Sequence, residues 1–393
     1  MSIWGMRDFR FLWSGRAVSL LGSWLLVVAV PAHMYAVTGS VFATGATLAA
    51  EYLPVLVLSP IAGVLVDRWD RRQVMIAADL FRATAVAAML IGTPTAIYLA
   101  VVAESVGALV FRPAAQAHVP AVVGPDRLAA ANSWNATTDG VVRLVGPPLG
   151  GVLFAWAGFE MVIALDVASY LISAAAIAFT ASRPITRTPS QSTTKTPQLV
   201  RRLLPLTGVF LAANAALSAL LVPYGMTNLG DSAQVGTVLS ALGIGFLGGA
   251  VLVRWLDRIQ LRTVLATAQL ATAGGFVLLF SANDLTSAMV AAAVIGMFGS
   301  VTVVAPQTAV QRTVENNRLG RISAIFLTVE AAATLTGAIA GPWLAESVSL
   351  HFAAMTAAAI TAASALVGAV TVPRVMLAAK RSNEQADGHA RTR

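Results

Sequence analysis

The chain has 393 residues, of which 57% are hydrophobic and only 11% are charged, and its mean hydropathy is +0.76. A soluble domain has about a quarter of its residues charged, so this composition excludes an ordinary soluble protein. The net charge of +8 is spread over many short segments, without the basic stripe or motif of a nucleic-acid-binding protein. The absence of cysteine excludes disulfides and thiolate chemistry.

Apolar stretches recur along nearly the whole chain, and a membrane-spanning helix needs roughly 20 mainly apolar residues. We predict twelve such helices, at about 10–37, 41–66, 73–93, 95–117, 128–156, 159–181, 203–228, 233–256, 261–281, 284–309, 320–346 and 349–376. The first stretch follows Arg7, Arg10 and Arg16 and is too long for the apolar part of a cleavable signal peptide. We therefore expect it to be a retained helix.

The distribution of basic residues indicates the orientation in the membrane. With twelve helices, 24 of the 26 Lys and Arg fall at one set of loops and helix ends, and only Arg82 and Arg143 lie well inside apolar stretches. The alternate loops contain none, near 38–40, 94–96, 157–160, 228–234, 282–286 and 347–350. Because basic loops stay on the cytoplasmic side, we predict a multi-pass cell-membrane protein with both termini in the cytoplasm.

One polar stretch, residues 182–202, interrupts the apolar helices and divides them six and six. It is rich in Ser, Thr, Pro and Arg, a composition typical of a flexible linker. The predicted organisation is an N-terminal six-helix bundle (1–181), this cytoplasmic linker, a C-terminal six-helix bundle (203–379) and a disordered cytoplasmic tail (380–393).

The two halves resemble each other in sequence. DRWDRRQVM at 67–75 aligns with DRIQLRTVL at 257–265, an offset of 190 residues. Three further pairs recur at offsets of 193, 191 and 195 residues: Pro113 with Pro306, Arg127-Leu128 with Arg318-Leu319, and Gly146-Pro147 with Gly341-Pro342. Six helices return each half to the same side, so the repeats are parallel, as in a large class of secondary transporters.

A motif between the second and third predicted helices carries a resemblance to a known family. It consists of Gly63, Asp67, Arg68, Arg71 and Arg72. The pattern is similar to the loop motif of the major facilitator superfamily, although Asp70 stands where many members have Gly. The resemblance implies an all-α membrane fold with twelve transmembrane helices in two six-helix parallel-repeat halves.

The same resemblance implies that this motif is a conformational latch, which stabilises the outward-open state and breaks on opening inward. Asp257 and Arg258 occupy the repeat position in the second half and belong to the same expected latch. Simple anchoring of the helix end by positive charges at the cytoplasmic surface is the alternative explanation.

Further segments narrow the resemblance to exporters. Residues 111–135 and 78–82 are similar to the branch that holds macrolide and enterobactin exporters. The fifth predicted helix carries an element similar to that of antiporting exporters, namely Gly146, Pro147, Pro148, Gly150 and Gly151. Because proline kinks a helix and glycine allows close helix approach, we expect a bent, tightly packed seam between the halves. Ordinary packing by small residues is the alternative.

Charged residues inside the membrane are costly and are therefore functional candidates. Glu51, Glu104 and Glu330 have no basic partner within one helical turn, so they are our proton-coupling candidates, with Glu104 preferred. Asp139 and Arg143 are four residues apart, can pair, and form a further candidate. We expect Asp79, which can pair with Arg82 three residues on, and Asp166 to be structural. Ser23 stands where the exporter branch often has Asp, so the proton machinery of relatives does not transfer unchanged.

Aromatic and methionine side chains adapt to varied apolar ligands. Those on helices expected to face the cavity or the seam are Trp24, Tyr52, Phe111, Trp134, Tyr224, Met226, Phe246, Met297, Phe298 and Phe326. Each is a candidate substrate contact, and each equally fits a position facing lipid or the bundle core.

We found no nucleophile–base constellation, nucleotide-binding loop or metal-ligand spacing, so we predict no enzyme activity and no cofactor. The predicted function is proton-coupled export of amphipathic small molecules by a monomer in the lipid bilayer, working by alternating access. A dedicated siderophore or secondary-metabolite exporter and a lysophospholipid flippase remain alternatives, and a non-transporting membrane receptor is the alternative from another class.

Overall fold

The computed structural model describes residues 3–66, 69–124, 127–181, 198–230, 232–256, 259–313 and 316–375. In this part of the chain, eleven helices are long and apolar enough to cross a membrane. They are α1 (Arg7–Thr38), α2 (Val41–Val66), α3 (Arg71–Ala87), α4 (Pro94–Val123), α5 (Leu128–Ala178), α6 (Gln198–Tyr224), α7 (Ser232–Leu252), α8 (Leu261–Leu279), α9 (Leu285–Thr313), α10 (Asn316–Ser347) and α11 (Leu350–Thr371).

Most boundaries lie within about four residues of the predicted ones, and four differ by five or six residues. α4 continues to Val123 instead of ending at 117, and α6 begins at Gln198, inside the predicted linker. α3 ends at Ala87 instead of 93, where a short 3-10 helix (Ala88–Ile91) follows, and α11 ends at Thr371 instead of 376. Residues 198–202 are helical because apolar side chains there join the core, and Val200 is fully buried. The rest of the predicted linker and the predicted tail lie outside the described residues.

Local sequence explains several helix ends. The side chain of Asp70 accepts a hydrogen bond from the backbone N–H of Gln73 at 3.0 Å and so caps the start of α3. Thr93 caps α4 and Ser349 caps α11 in the same way. Gly39 ends α1 with a φ of 64°, a left-handed conformation that glycine adopts without strain.

The longest helix, α5, contains a break. Its 51 residues would extend about 76 Å as one straight helix, against about 30 Å of membrane hydrocarbon. Gly158 has φ 81° and ψ 178°, which are not helical values, so the chain changes direction there. α5 therefore has a first limb (128–157) and a second limb (159–178), and the break falls where the sequence predicts a turn.

We call residues 3–181 the first half and residues 198–375 the second half of the described chain. Each half has two clusters of buried apolar side chains, for example around Met75 and Ile163 in the first half. We call the side where α5 ends and α6 begins the linker side, and the opposite one the far side. A small apolar cluster at the far side, formed by Val28, Ala32, Val222 and Val235, contains residues of both halves.

Candidate functional site

Two glycines of the predicted α5 motif bring its first limb against α1. A Cβ added at Gly146 would lie 2.5 Å from the Cβ of Trp24, and one added at Gly150 would meet the backbone of Leu25. Real side chains do not tolerate such contacts, so only glycine fits at these positions. This contact lies within the first half and holds α5 beside the central helix α1.

The other residues of the motif face α7, in the second half. A Cβ added at Gly151 would meet the backbone of Ser232, and one added at Gly236 would lie 2.6 Å from Cα of Pro148 and 2.9 Å from the carbonyl oxygen of Pro147. The hydroxyl of Ser232 also donates to the Gly151 carbonyl at 3.2 Å. The motif thus forms a seam in which the backbones of the two halves touch.

One hydrogen bond across this seam arises from a proline. Pro148 has no N–H, so it leaves the carbonyl of Leu144, four residues earlier, without its usual partner in the helix. The hydroxyl of Ser240 on α7 donates to that carbonyl at 2.9 Å. The same proline that bends α5 therefore provides the acceptor that ties it to the other half.

A second seam, between α10 and α2, repeats this arrangement. A Cβ added at Gly341 would lie 2.7 Å from the Cβ of Ala216 on α6, and one added at Gly45 on α2 would meet Pro342. Gly341-Pro342 is the repeat counterpart of Gly146-Pro147, and Gly45 lies 191 residues before Gly236, within the range of the repeat offsets. Two contacts of the second seam therefore correspond to two of the first, those of Gly341 with Ala216 and of Gly45 with Pro342.

The far-side end of the second seam carries a charged contact. A carboxylate oxygen of Glu346, at the end of α10, accepts a hydrogen bond from the Ser40 hydroxyl at 2.5 Å and from the backbone N–H of Phe42 at 2.9 Å. That N–H is one of the groups left without a partner at the start of α2. A carboxylate of the second half thus caps a helix of the first half.

The predicted pairing of Asp139 with Arg143 is wrong. Asp139 instead pairs with Arg16 of α1, whose Nη2 lies 2.7 and 3.0 Å from the two carboxylate oxygens. The Arg143 guanidinium carbon lies 5.3 Å from the centre of the Trp24 ring, a cation–π geometry. Spacing along one helix allowed the pair, but the packing of α1 against α5 offers each side chain a different partner.

A buried polar network links four helices of the first half. Arg82 on α3 donates to one oxygen of Glu104 on α4, from Nε at 2.9 Å and from Nη2 at 2.6 Å. It also forms the expected ion pair with Asp79, at 3.6 Å. Tyr170 donates to the same Glu104 oxygen at 2.9 Å. Ser23 accepts from Arg82 at 3.3 Å and lies 2.9 Å from the Tyr170 hydroxyl. Glu104, which has no basic partner within one helical turn, therefore takes its cation from a neighbouring helix.

Two further carboxylates lie beside this network and are completely buried, Asp79 and Asp166. One Asp166 oxygen accepts from the Ser169 hydroxyl at 3.0 Å, while the other has no hydrogen-bond partner among the described residues. Gly22 of α1 packs directly against this carboxylate and leaves no space for a side chain. Three acidic side chains thus surround Arg82, and we retain the prediction that Asp166 is structural.

A second charged group lies between the halves, around Tyr52 of α2. Its electrostatic neighbours are Glu51, Arg112 and Arg143 of the first half and Glu330 of α10 in the second half. The side chains of Glu51, Arg112 and Arg143 are exposed, and that of Glu330 is half-buried. Arg112 was missed from the sequence, because it lies five residues before the predicted helix end at 117 and was counted with the basic residues of the helix ends, whereas α4 continues to Val123.

Most of the predicted latch lies outside the residues whose positions are described. Asp67, Arg68, Asp257 and Arg258 belong to that part, and Gly63 lies in α2 where side chains are not described. Arg71 and Arg72 lie in the first turn of α3. Arg72 donates to the carbonyls of Ile177 and Ala178, at the end of α5, so it closes that helix end.

The aromatic and methionine candidates separate into groups. Phe111 is 6% exposed in the core of the first half, and Tyr224 is buried and donates to the carbonyl of Ala282 at 2.6 Å, so both side chains are packed inside their own half in this structure. Trp24 and Tyr52 adjoin the central charged group. The others are packed elsewhere: Trp134 against Trp4, Met226 at the far-side cluster, Phe246 and Met297 at the contact of α7 with α9, and Phe298 and Phe326 on the core of the second half.

The sequence profile of the transmembrane secretion effector family matches residues 4–390. Macrolide efflux protein A of Streptococcus pyogenes is 30% identical over 176 residues, which are 43% of this chain and 44% of that protein. The chain thus spans about half the length of this curated relative. The multidrug efflux pump Tap of Mycolicibacterium fortuitum is 27% identical over 383 residues, covering 89% of this chain and 91% of the pump.

Among solved structures, a bacterial homologue of the iron transporter ferroportin in its inward-facing state superimposes with a TM-score of 0.75. The match covers 94% of this chain and all of the other, at 17% sequence identity. At this identity the likeness establishes the fold alone.

Proposed function

The chain belongs to the transmembrane secretion effector family of the major facilitator superfamily, and from that premise we propose that it is a secondary active exporter of amphipathic small molecules. It is an integral membrane transporter and not an enzyme. The observation that carries the proposal is the charged group around Tyr52, which includes Glu330 of one half and Arg143 of the other. When the two halves rock against each other, a site to which both contribute residues can change which side of the membrane it faces.

The proposed topology has twelve spans in two parallel six-helix halves, with both termini in the cytoplasm and the protein a monomer. The break at Gly158 divides α5 into two spans, and the two corresponding seams support a repeat. The distribution of basic residues favours the linker side as the cytoplasmic one. A reporter inserted within 182–197 is then cytoplasmic and one at 282–284 external, and the reverse result contradicts the topology.

The proposed conformation is open toward the linker side, since the seam contacts extend from the far side toward the middle of the membrane. In this state the α5–α7 seam limits leak across the far side. The predicted latch of Gly63, Asp67 and the nearby arginines with Asp257 and Arg258 would form when the linker side closes. Asp67→Asn should then leave a folded protein that transports much more slowly.

Proton antiport is the proposed source of energy. Glu104 already has Arg82 as a fixed cation within hydrogen-bond distance. Glu51 and Glu330 adjoin the space between the halves together with Arg112 and Arg143, so binding of a proton or a cationic substrate there changes the local charge balance. We therefore place the exchange of proton and substrate at Glu51 and Glu330, with Glu104 as the third candidate.

The test measures efflux of ethidium and of a macrolide antibiotic from proteoliposomes with an imposed proton gradient. Glu51→Gln and Glu330→Gln should abolish gradient-driven transport while downhill exchange persists, and Glu104→Gln should be compared with them. Glu160→Gln, at an exposed carboxylate beyond the break in α5, is the matched control and should transport normally. If all three variants, singly and combined, pump with unchanged pH dependence, coupling through these carboxylates is refuted. Transport of one compound alone would favour a dedicated exporter.

A further inference from the structure

A groove on the second half lies between α6 and α11 and begins at the linker side. Its cavity volume is about 570 Å³, and it extends from Arg201 to Val209 along α6 and from Thr371 to Ile360 along α11. Val209 lies eight residues after Arg201 and Thr371 eleven after Ile360, which corresponds to a length of about 12–16 Å at about 1.5 Å per residue. The groove therefore enters the membrane from the linker side and ends within the nearer leaflet.

The chemistry of the groove changes along its length. Arg201 and Arg202 lie at the linker-side end, and both are exposed. Arg202 donates to the carbonyl of Thr371 at 2.7 Å, which fixes one guanidinium at the entrance, whereas Arg201 has no partner among the described residues. Beyond them the wall is mainly apolar and includes Leu206, Val209, Ile360 and Val367.

One polar group lies inside the apolar part. Ser364 lines the groove and is 5% exposed, and its hydroxyl has no hydrogen-bond partner among the described residues. A serine in a helix normally donates to a carbonyl of the preceding turn, and a buried hydroxyl without a partner is costly. The hydroxyl is therefore a donor without a partner among the described residues, about two helical turns along α11 from Thr371 at the entrance.

We propose that this groove binds one anionic phospholipid of the linker-side leaflet. Its phosphate would contact Arg201 and Arg202, its acyl chain would occupy the apolar part, and an ester carbonyl would accept from Ser364. A basic pocket between membrane helices, at the level of the headgroups, is the arrangement that anionic headgroups recognise. Guanidinium groups also bind phosphate through paired N–H donors.

The binding test uses native mass spectrometry of the full-length protein with phosphatidylglycerol and phosphatidylcholine of identical acyl chains. Phosphatidylglycerol should bind more tightly to the wild type. Arg201→Gln combined with Arg202→Gln should weaken phosphatidylglycerol binding on the order of 30-fold, about fivefold for each guanidinium. The control pair, Arg7→Gln with Arg10→Gln, removes two exposed charges on the same side of the membrane from the other half and should bind as the wild type does.

A second pair of variants tests the apolar part of the groove. Ala363→Phe fills it without changing charge and should weaken binding of phosphatidylglycerol at least tenfold. Ala359→Phe adds the same bulk to an exposed position of α11 outside the groove lining and should have no effect. If Ala363→Phe prevents folding, Ser364→Ala replaces it and should weaken binding severalfold.

Equal affinity for the two lipids, or an equal loss in the Arg7 and Arg10 control, would overturn the proposal. Unchanged binding of phosphatidylglycerol in the Ala363→Phe variant would also overturn the proposal. If the groove variants reduce export of ethidium but leave phosphatidylglycerol binding unchanged, the groove admits substrate and the lipid proposal is wrong. None of these outcomes depends on proton coupling.

Discussion

Replacement of Gly236 by alanine should weaken the closure of the far side. The added Cβ would lie 2.6 Å from Cα of Pro148, 2.9 Å from the Pro147 carbonyl oxygen and 3.3 Å from the Pro148 nitrogen. All three atoms belong to the backbone of α5, so no side chain can rotate to make room. The methyl group fits only if α7 and α5 move apart.

Overpacking of this kind costs about 1–3 kcal/mol. The cost falls on the state in which the seam is closed, so the ratio of far-side-closed to far-side-open protein should decrease by about 5- to 150-fold. Alanine also favours a helix over glycine by about 1 kcal/mol, but this gain is common to both states. Gly248→Ala on the same helix is the matched control, because nothing lies within 4 Å of its added Cβ.

The assay is a spin-label distance measurement across the far side. The chain contains no cysteine, so cysteines placed at Val37 and Val348 are the only labelling sites, and both positions are exposed. Gly236→Ala should transfer population from the short to the long distance, while Gly248→Ala should leave the wild-type distribution. Identical distributions in the two variants would refute the close contact at Gly236.

Two side chains that form hydrogen bonds between the halves, Ser240 and Glu346, permit similar tests with the same labels. Ser240→Ala leaves the Leu144 carbonyl without a partner, at a cost of about 1–3 kcal/mol, and should open the far side. Ser218→Ala, whose hydroxyl bonds only within its own helix, should not, and an equal effect would contradict the reasoning. Glu346→Ala removes the cap on α2 and should open the far side by about 0.5–2 kcal/mol, whereas Glu346→Gln keeps an acceptor for Ser40 and should open it less. The two Glu346 variants should rank in that order in the fraction of long distances.

The sequence predicted the positions of the helices because the signal there is local. A membrane helix is defined by a continuous apolar stretch, and the turn at Gly158 appears in the sequence as a gap between two such stretches. The glycines and prolines of α5 were also predictable, because their steric consequences follow from residue type alone. The structure adds the partner of these residues on α7, because Gly236 is the position at which α7 touches the backbone of Pro147 and Pro148.

The partners of the charged residues were not predictable in the same way. Spacing suggested that Asp139 pairs with Arg143, yet Asp139 binds Arg16, 123 residues away along the chain. Glu104 appeared isolated because its cation, Arg82, is on another helix. A carboxylate in the membrane takes the cation that packing brings to it, and one helix reveals only the neighbours three or four residues away.

The two seams also indicate how the halves can separate. Their close contacts join glycine to backbone and proline, so few interdigitated side chains must be withdrawn when they part. Among the described residues, hydrogen bonds cross between the halves to the carbonyls of Leu144 and Gly151 and, twice, to Glu346. At about 1 kcal/mol each, their loss costs a few kcal/mol, which contacts formed on the linker side must offset if both states are to be populated. The predicted latch lies on that side, so Asp67→Asn and Ser240→Ala should shift the equilibrium in opposite directions and approach the wild-type balance when combined.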